Sequence, residues 1–316
     1  MEAKQKDRAV VIVGPTAVGK TALSFYLADR YQTELISGDA YQIYRYMNIG
    51  TAKPTLEELA RYPHHLIDIL EPEETFSAAQ FQKMAAKKIR DLNEAGKLPV
   101  LVGGTGLYVQ SLLEGYSFEQ PKTEEKSRKA AETLYESLSD SERADYVRPY
   151  VQSQAITTEL LHNRHRMIRL MEMIALGIAG TGIAEKKKSE LQYDAAVIGL
   201  SLPREELYKR IDLRVQLMID AGWIEETKQL LARGIDRNCQ SMKAIGYRTI
   251  ALYLEGQMSR EEMTAQIQKE TRHFAKRQLT WYKRMPYIQW FDKQSYASEK
   301  ALAEAVGAYI DQKFAY

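Results

Sequence analysis

Apolar runs of strand length alternate with amphipathic stretches over the first third of the chain. Residues 9–13 read Ala-Val-Val-Ile-Val without a polar break, the mark of a strand buried on both faces rather than one. Amphipathic spacing then predicts a helix through about Tyr31, a short strand over 34–37, a strand in the third apolar run over 66–70, and a helix over 77–95 closed by Gly96. A fourth strand is predicted over 98–102, running into Gly103-Gly104-Thr105-Gly106. Such alternation builds a parallel, doubly wound sheet, and its ligands sit beyond the carboxyl ends of the strands.

The pattern changes at about Tyr116. From there to about Asp194 the strand signal is replaced by helical stretches rich in Glu, Lys and Arg, punctuated at Pro149, Gly177, Gly180 and Gly182. An apolar strand returns over 195–202. After Pro203 the pattern is nearly all helical to Met285, followed by a predicted strand over 287–291 and a C-terminal helix from Ser298. A helical block between two strands of one sheet is an insertion carried on the core. The expected domains are a catalytic core of residues 1–115 and 194–316, including C-terminal helices, and an insertion of residues 116–193.

The first strand exit carries the most specific chemistry. Gly14, Pro15, Thr16, Ala17, Val18, Gly19, Lys20 and Thr21 stand between an apolar run and an amphipathic one, the context of a phosphate-binding loop. There glycines let backbone N–H groups converge on an anion, the lysine adds charge, and the Thr21 hydroxyl is placed to hold magnesium. The expected fold is therefore α/β: a P-loop doubly wound parallel sheet core with an all-helical insertion domain and a helical C-terminal region.

Composition adds bounds. With 316 residues and 45 % hydrophobic content the chain can bury a large core, and its length fits one large domain or two. One cysteine, Cys239, permits no internal disulfide, so nothing in the chain calls for an oxidising compartment. No apolar stretch reaches membrane-spanning length. A cytoplasmic monomer without membrane contact is expected. The formal net charge is only +2, so a polyanion must be met by local patches.

Several residues stand where ligands are expected. Asp39 follows the second strand, either as a turn or N-cap aspartate or as a magnesium-shell acid or general base. The segment from Tyr44 to Pro54 is polar and glycine-punctuated, as a ligand-facing loop would be, and its Lys53 is either part of that loop or solvated. His64 and His65 are adjacent on an extended chain and lack further ligands at metal spacing, which favours structural roles. Thr105 offers a hydroxyl at a glycine-rich exit. Arg164, His165, Arg166 and Arg169 crowd one short helix, with Arg166 and Arg169 sharing a face. Residues 269–284 hold six Lys or Arg against Glu270, interleaved with His273, Phe274, Trp281 and Tyr282. Each cluster reads either as a solvated helix face or as a surface for nucleic-acid phosphates and exposed bases. Lys186-Lys187-Lys188 reads most simply as a solvated loop.

Together these motifs resemble the tRNA dimethylallyltransferase family, the isopentenyltransferases that modify adenosine beside the anticodon. The resemblance spans nearly the whole chain: GPTAVGKT (14–21), SGDAYQIYRYMNIGTAKPT (37–55), PHHLIDILEPEETFSAAQF (63–81), GGTGLY (103–108), MKAIGYR (242–248) and TRHFAKRQLTW (271–281). It implies N6-dimethylallyladenosine at tRNA position 37, made from dimethylallyl diphosphate with Mg2+ on the anticodon stem-loop. It further implies that residues 14–21 cradle the diphosphate, Asp39 is the catalytic carboxylate, and Ala40, Tyr41 and Gln42 contact the target nucleotide. Arg214 matches an arginine associated with the diphosphate, while Thr105 and Arg128 match tRNA contacts. The tRNA-facing segments would be His165, Met167 and Ile168 with Arg166 and Arg169; Lys243, Ala244, Ile245, Gly246, Tyr247 and Arg248; and Lys276, Arg277, Gln278, Leu279, Thr280, Trp281, Tyr282 and Lys283.

The chain departs from the family pattern at Ala40, where a serine is usual, and at Asn163, where an aspartate is usual. Nothing resembles the zinc finger appended to eukaryotic relatives, which favours a bacterial-type enzyme. The competing classes are a P-loop kinase or NTPase, which ATP turnover without RNA would reveal, an adenylate isopentenyltransferase, which has no need of the basic surfaces, and a noncatalytic RNA-binding protein, which has no use for Gly19-Lys20-Thr21 with Asp39.

Overall fold

The computed structural model describes residues 6–116, 118, 125–151, 156–177 and 191–315. Gly180, Gly182 and the lysine run 186–188 lie outside them. The chain divides into two compact units, Met1–Gly115 with Glu190–Tyr316, and Tyr116–Ser189.

The first unit is built on a six-stranded sheet of order β3-β2-β4-β1-β5-β6. Its strands are β1 (Arg8–Val13), β2 (Leu35–Ser37), β3 (His64–His65), β4 (Val100–Val102), β5 (Asp194–Ser201) and β6 (Gln289–Asp292), and every pairing is parallel. β1 is central, in register with β4 from Val10↔Val100 and with β5 from Arg8↔Asp194. The helices in chain order are α1 (Lys20–Tyr31), α2 (Leu56–Arg61), α3 (Ala78–Glu94) and α4 (Gly106–Glu114); α5 (Glu125–Ser137), α6 (Asp140–Val147), α7 (Thr158–His162) and α8 (Arg164–Ala175); then α9 (Arg204–Asp220), α10 (Trp223–Ala232), α11 (Tyr247–Leu254), α12 (Arg260–Tyr282) and α13 (Glu299–Phe314).

The uninterrupted apolar run of β1 has a direct cause: Val11 and Val13 face a core formed with α3, α4 and α11, whereas Val10 and Ile12 face one formed with α1, α9 and α13. Successive strand side chains point to opposite faces, so burial of both faces leaves no place for a polar residue. Helix starts are fixed by local chemistry. Ser77 caps α3 reciprocally with Gln80, and Ser259 caps α12 with Glu262, satisfying amide groups that the first turn cannot.

The strand expected over 66–70 is not formed. Pairing with β2 stops after His65, and Leu66 and Asp68 take φ of 65° and 54°, a left-handed conformation incompatible with a continuous strand. The Asp68 and Ile69 amides instead donate to the Gln42 and Ile43 carbonyls, and the Asp68 carboxylate pairs with Lys53 at 2.5 Å. Leu66 and Ile67 are apolar because they are buried. α2, capped by Thr55 with Glu58, is an element that hydrophobic spacing does not announce, since none of its residues is buried.

The second unit packs α5–α8 around its own small core, including Tyr135, Val147, Leu160, Met167, Ile168 and Met171.

Candidate active site

β1 delivers the chain to the cleft at Val13, and the next residues turn sharply into α1. Ala17 at φ 64° and Gly19 at φ 100° occupy the left-handed region, the kind of alternation that curls consecutive backbone N–H groups into an anion-holding concavity. Lys20 folds back over this turn, its Nζ donating to the carbonyls of Gly14 at 3.0 Å and Pro15 at 2.9 Å. Burial, reinforced by the nearby Arg214 charge and opposed by Asp39, brings its pKa down to about 7. Thr21 is exposed in the first turn of α1.

Asp39 stands just beyond β2. Its Oδ1 accepts from the amides of Tyr41 at 2.9 Å and Gln42 at 3.4 Å, so it is a turn aspartate by hydrogen bonding while lining the cleft. Burial pushes its carboxyl pKa up, against the pull of those two amides and of Lys20 and Arg214. Arg214 is itself pushed down by burial, with Asp39 opposing. Three charged groups, from the β1 and β2 exits and from the middle of α9, thus share one poorly solvated space, and perturbed groups gathered in a cleft mark a functional site.

Neighbouring turns fix this loop. The Thr105 hydroxyl accepts from the Ala40 amide at 3.0 Å, and the Gln42 side chain is occupied internally, accepting from Ser37 and donating to the Thr51 and Ala52 carbonyls. Gln278 of α12 ties two strand exits together: its Oε1 accepts from the Thr16 amide and its Nε2 donates to the Gly104 carbonyl, both at 2.8 Å. A Cβ at Gly104 would lie 2.5 Å from Gln278 Nε2, so a side chain there would displace the hydrogen-bonded end of Gln278.

The cleft has two adjoining cavities. One, of about 410 Å³, is walled by the phosphate loop with Lys20, Thr21 and Ser24, and by Arg210, Leu213 and Leu217. The other, of about 530 Å³, is walled by Ala40, Tyr41, Thr105, Leu107, Lys243, Ile245, Arg277 and Trp281. Asp39, Arg214, Thr16, Gly104, Phe274 and Gln278 belong to both walls. α9 supplies its share by helical spacing: Arg210, Leu213, Arg214 and Leu217 fall at i, i+3, i+4 and i+7 on one face, while Leu207 and Ile211 go to the core.

Some residues that support the cleft carry no sequence signal. Glu226 of α10 accepts from the consecutive amides of Asn48 at 2.7 Å, Ile49 at 2.8 Å and Gly50 at 3.1 Å, and from the Tyr247 hydroxyl at 2.7 Å. It anchors the polar loop whose Thr51 and Ala52 line the cleft. Lys53 is not solvated: its side chain is 2 % exposed, held by Asp68 and by the Tyr44 carbonyl. His64 and His65 bond to the Tyr62 carbonyl and the Glu34 carboxylate, both at 2.6 Å. Among the described residues no group of three or more His, Cys, Asp or Glu could hold a metal ion.

The structure narrows the segments matched to tRNA contacts. In the helical insertion, His165 and Arg166 are exposed, but Met167 and Ile168 are wholly buried in its core. Helical periodicity sends them inward. Arg169 and Arg128 are drawn to the buried Glu172, at 2.7 Å and 3.7 Å. Asn163 caps α8 through the Arg166 amide at 3.2 Å, a task an aspartate would also perform. In the first unit, Lys243, Arg248, Lys276, Arg277, Thr280, Trp281 and Lys283 are exposed and Ile245 and Leu279 half-buried. Ala244 is nearly buried in the second cavity's wall. Gly246, Tyr247 and Tyr282 are packed inside, and Gln278, though buried, reaches the walls of both cavities.

Fold and site define an α/β protein whose phosphate-loop motif walls one cavity beside a second, with a carboxylate and an arginine in both walls. The family model described as IPP transferase matches residues 42–285. The chain is 45 % identical over 292 residues to the tRNA dimethylallyltransferase of Bacillus mycoides, covering 91 % of this chain and 90 % of that protein. It is 45 % identical over 296 residues to the corresponding protein of Bacillus anthracis, covering 91 % of both. The crystal structure of the full-length tRNA isopentenylpyrophosphate transferase from Bacillus halodurans matches with a TM-score of 0.72 at 40 % identity, over 98 % of this chain and 97 % of that one. A eukaryotic dimethylallyltransferase seen acting on tRNA matches with a TM-score of 0.79 at 26 % identity, over 96 % and 79 % respectively. The chain belongs to the IPP transferase family.

Proposed function

We propose that this chain transfers the dimethylallyl group from dimethylallyl diphosphate to N6 of adenosine 37 in the anticodon stem-loop of tRNA, releasing diphosphate. The observation that carries the reading is the position of Asp39 and Arg214 in the walls of both cavities. Two substrates that meet only at the reacting atoms need such a junction.

The exocyclic amine of adenine is a weak nucleophile because its lone pair is delocalised into the ring. Asp39 accepts a proton from N6 as the N6–C1 bond forms and the C1–O bond to diphosphate breaks. Burial raises its basicity, which brings a carboxylate closer to the value at which a general base works well. The phosphate-loop amides, Lys20 and Arg214 take up the charge that accumulates on the departing diphosphate. Thr21 and the diphosphate oxygens would hold Mg2+, a donor set that suits an ion bound through one or two protein oxygens, water and phosphate. When bound, that ion supplies further charge neutralisation on the leaving group.

The target base must be drawn out of its stack, at a cost of a few kcal/mol. Contacts from the exposed basic residues of the insertion (His165, Arg166) and of α12 and its C-cap (Lys276, Arg277, Lys283) offset it, with Trp281 and Tyr41 offering aromatic faces. The chain acts as a monomer in the cytoplasm, on tRNA rather than at a membrane; among the described residues no helix is long and apolar enough to cross one.

The test is product analysis. Incubation with labelled dimethylallyl diphosphate, Mg2+ and unmodified tRNA, followed by digestion, should yield labelled N6-dimethylallyladenosine from position 37. Label entering free AMP but not tRNA, or ATP turnover without RNA, would replace the reading with one of its competitors.

A further inference from the structure

The phosphate loop is held from behind by a residue far away in sequence. Lys293 follows β6, and its side chain is only 5 % exposed. Its Nζ donates to the Val18 carbonyl at 3.0 Å and pairs with Glu299 Oε1 at 2.5 Å. The same amine leaves no space at the next residue: a Cβ at Gly19 would lie 2.6 Å from it. Glu299, in the first turn of α13, is 59 % exposed and also lies 3.9 Å from Arg210, a residue of the phosphate-side cavity.

A buried ammonium needs partners that compensate its lost hydration. Here one partner is a carbonyl of the very turn that must present its amides to an anion. With Val18 O drawn toward Lys293, the peptide between Val18 and Gly19 is fixed in orientation before any ligand arrives. Preorganised donors add most to anion binding because no reorganisation is needed when charge appears.

We propose that Lys293 is a positioning residue for the diphosphate: by tethering the Val18 carbonyl and pairing with Glu299 it holds the loop of residues 14–21 in its anion-binding shape. The inference rests on the reading of that loop as the diphosphate cradle. Lys293 touches no reacting atom, so its signature is weakened ground-state binding of the phosphate substrate with tRNA binding spared.

The experiment compares wild type, Lys293→Met and Glu299→Gln. Inorganic diphosphate is titrated by calorimetry, and KM for each substrate and the single-turnover rate at saturation are measured. Circular dichroism melts check folding. Lys293→Met should weaken diphosphate binding and raise the KM for dimethylallyl diphosphate by about tenfold, since small misplacements of binding groups are costly. The tRNA KM and the saturated rate should stay near wild type. Glu299→Gln removes the charge of the exposed partner while keeping its shape, and should weaken diphosphate binding by about two- to threefold. Unchanged diphosphate affinity in a folded Lys293→Met protein overturns the proposal. If that variant does not fold, unchanged affinity in Glu299→Gln overturns it. Wild type without diphosphate affinity would overturn the cradle reading itself, a failure distinct from equal affinity in wild type and variants.

Discussion

Charged side chains in the cleft and those in the helical insertion are held by different means. In the cleft, Lys20 is bound by two backbone carbonyls and Asp39 by two backbone amides. Their partners belong to the turns themselves, and burial displaces the titration of both groups. In the insertion, Arg143 meets Asp140 three residues away, Arg128 meets Glu132 four residues away, and Arg169 meets Glu172 three residues away. Helical spacing supplies such pairs locally. Groups fixed by backbone in a sheltered site are suited to act on developing charge, whereas arginines paired along a helix are already spoken for, which leaves docking to the exposed His165 and Arg166 beside them.

The largest effects should follow from disturbing the cleft. Lys20→Ala is expected to lower kcat/KM for dimethylallyl diphosphate by about 10²–10³, the range for losing one preorganised charge donor. The wild-type amine has a related pH signature. Below about pH 7 it is protonated in both folded and unfolded chains, and between about 7 and its ordinary 10.5 only the unfolded chain holds the proton. Stability of the ligand-free protein should therefore gain a contribution as pH rises through that window. Diphosphate binding should show the opposite trend, weakening from pH 6 to 9 with proton uptake. Calorimetry in buffers of different ionisation enthalpy measures it, and Lys20→Ala should abolish the Lys20 component.

The exposed charges should respond to salt instead. Replacing Arg166, Lys276 and Arg277 by alanine is expected to weaken tRNA binding and flatten log affinity against log salt by about 0.7–0.9 for each tRNA phosphate that is no longer neutralised. Arg169→Ala should change that slope far less, because Glu172 already holds its charge. Equal slope changes from Arg169 and Arg166 would break the distinction between paired and docking arginines. The smallest effect is expected at Asn163→Ala. Loss of the cap on α8 should cost about 1 kcal/mol, read as a shifted melt with unchanged diphosphate affinity.

The same contrast explains what could be read from the chain. The phosphate loop and β1 were legible because their constraints are local: a buried strand must be apolar, and a tight anion-binding turn must carry glycine. Asp39 and Arg214 were placed by the resemblance, and position along the chain alone left Asp39 open between a turn and a catalytic role. Residues 66–70 misled because burial by a neighbouring loop selects the same residue types as burial in a strand. Glu226, Gln278 and Lys293 act across separations of 176, 262 and 275 residues. No spacing rule connects a side chain to a backbone amide or carbonyl that far away. Met167 and Ile168 were swept into a surface motif because a contiguous motif crosses both faces of a helix.

The division between a reacting cleft and a docking surface is tested most directly by the single-turnover rate of Asp39→Asn at saturating tRNA and dimethylallyl diphosphate, with tRNA affinity measured on the same protein. The amide keeps an oxygen for the Tyr41 and Gln42 backbone donors but has no basicity to offer N6. The expected result is a rate lower by about 10²–10⁴ with tRNA affinity unchanged. A rate close to wild type, or a loss explained wholly by weaker tRNA binding, would contradict the role assigned to Asp39.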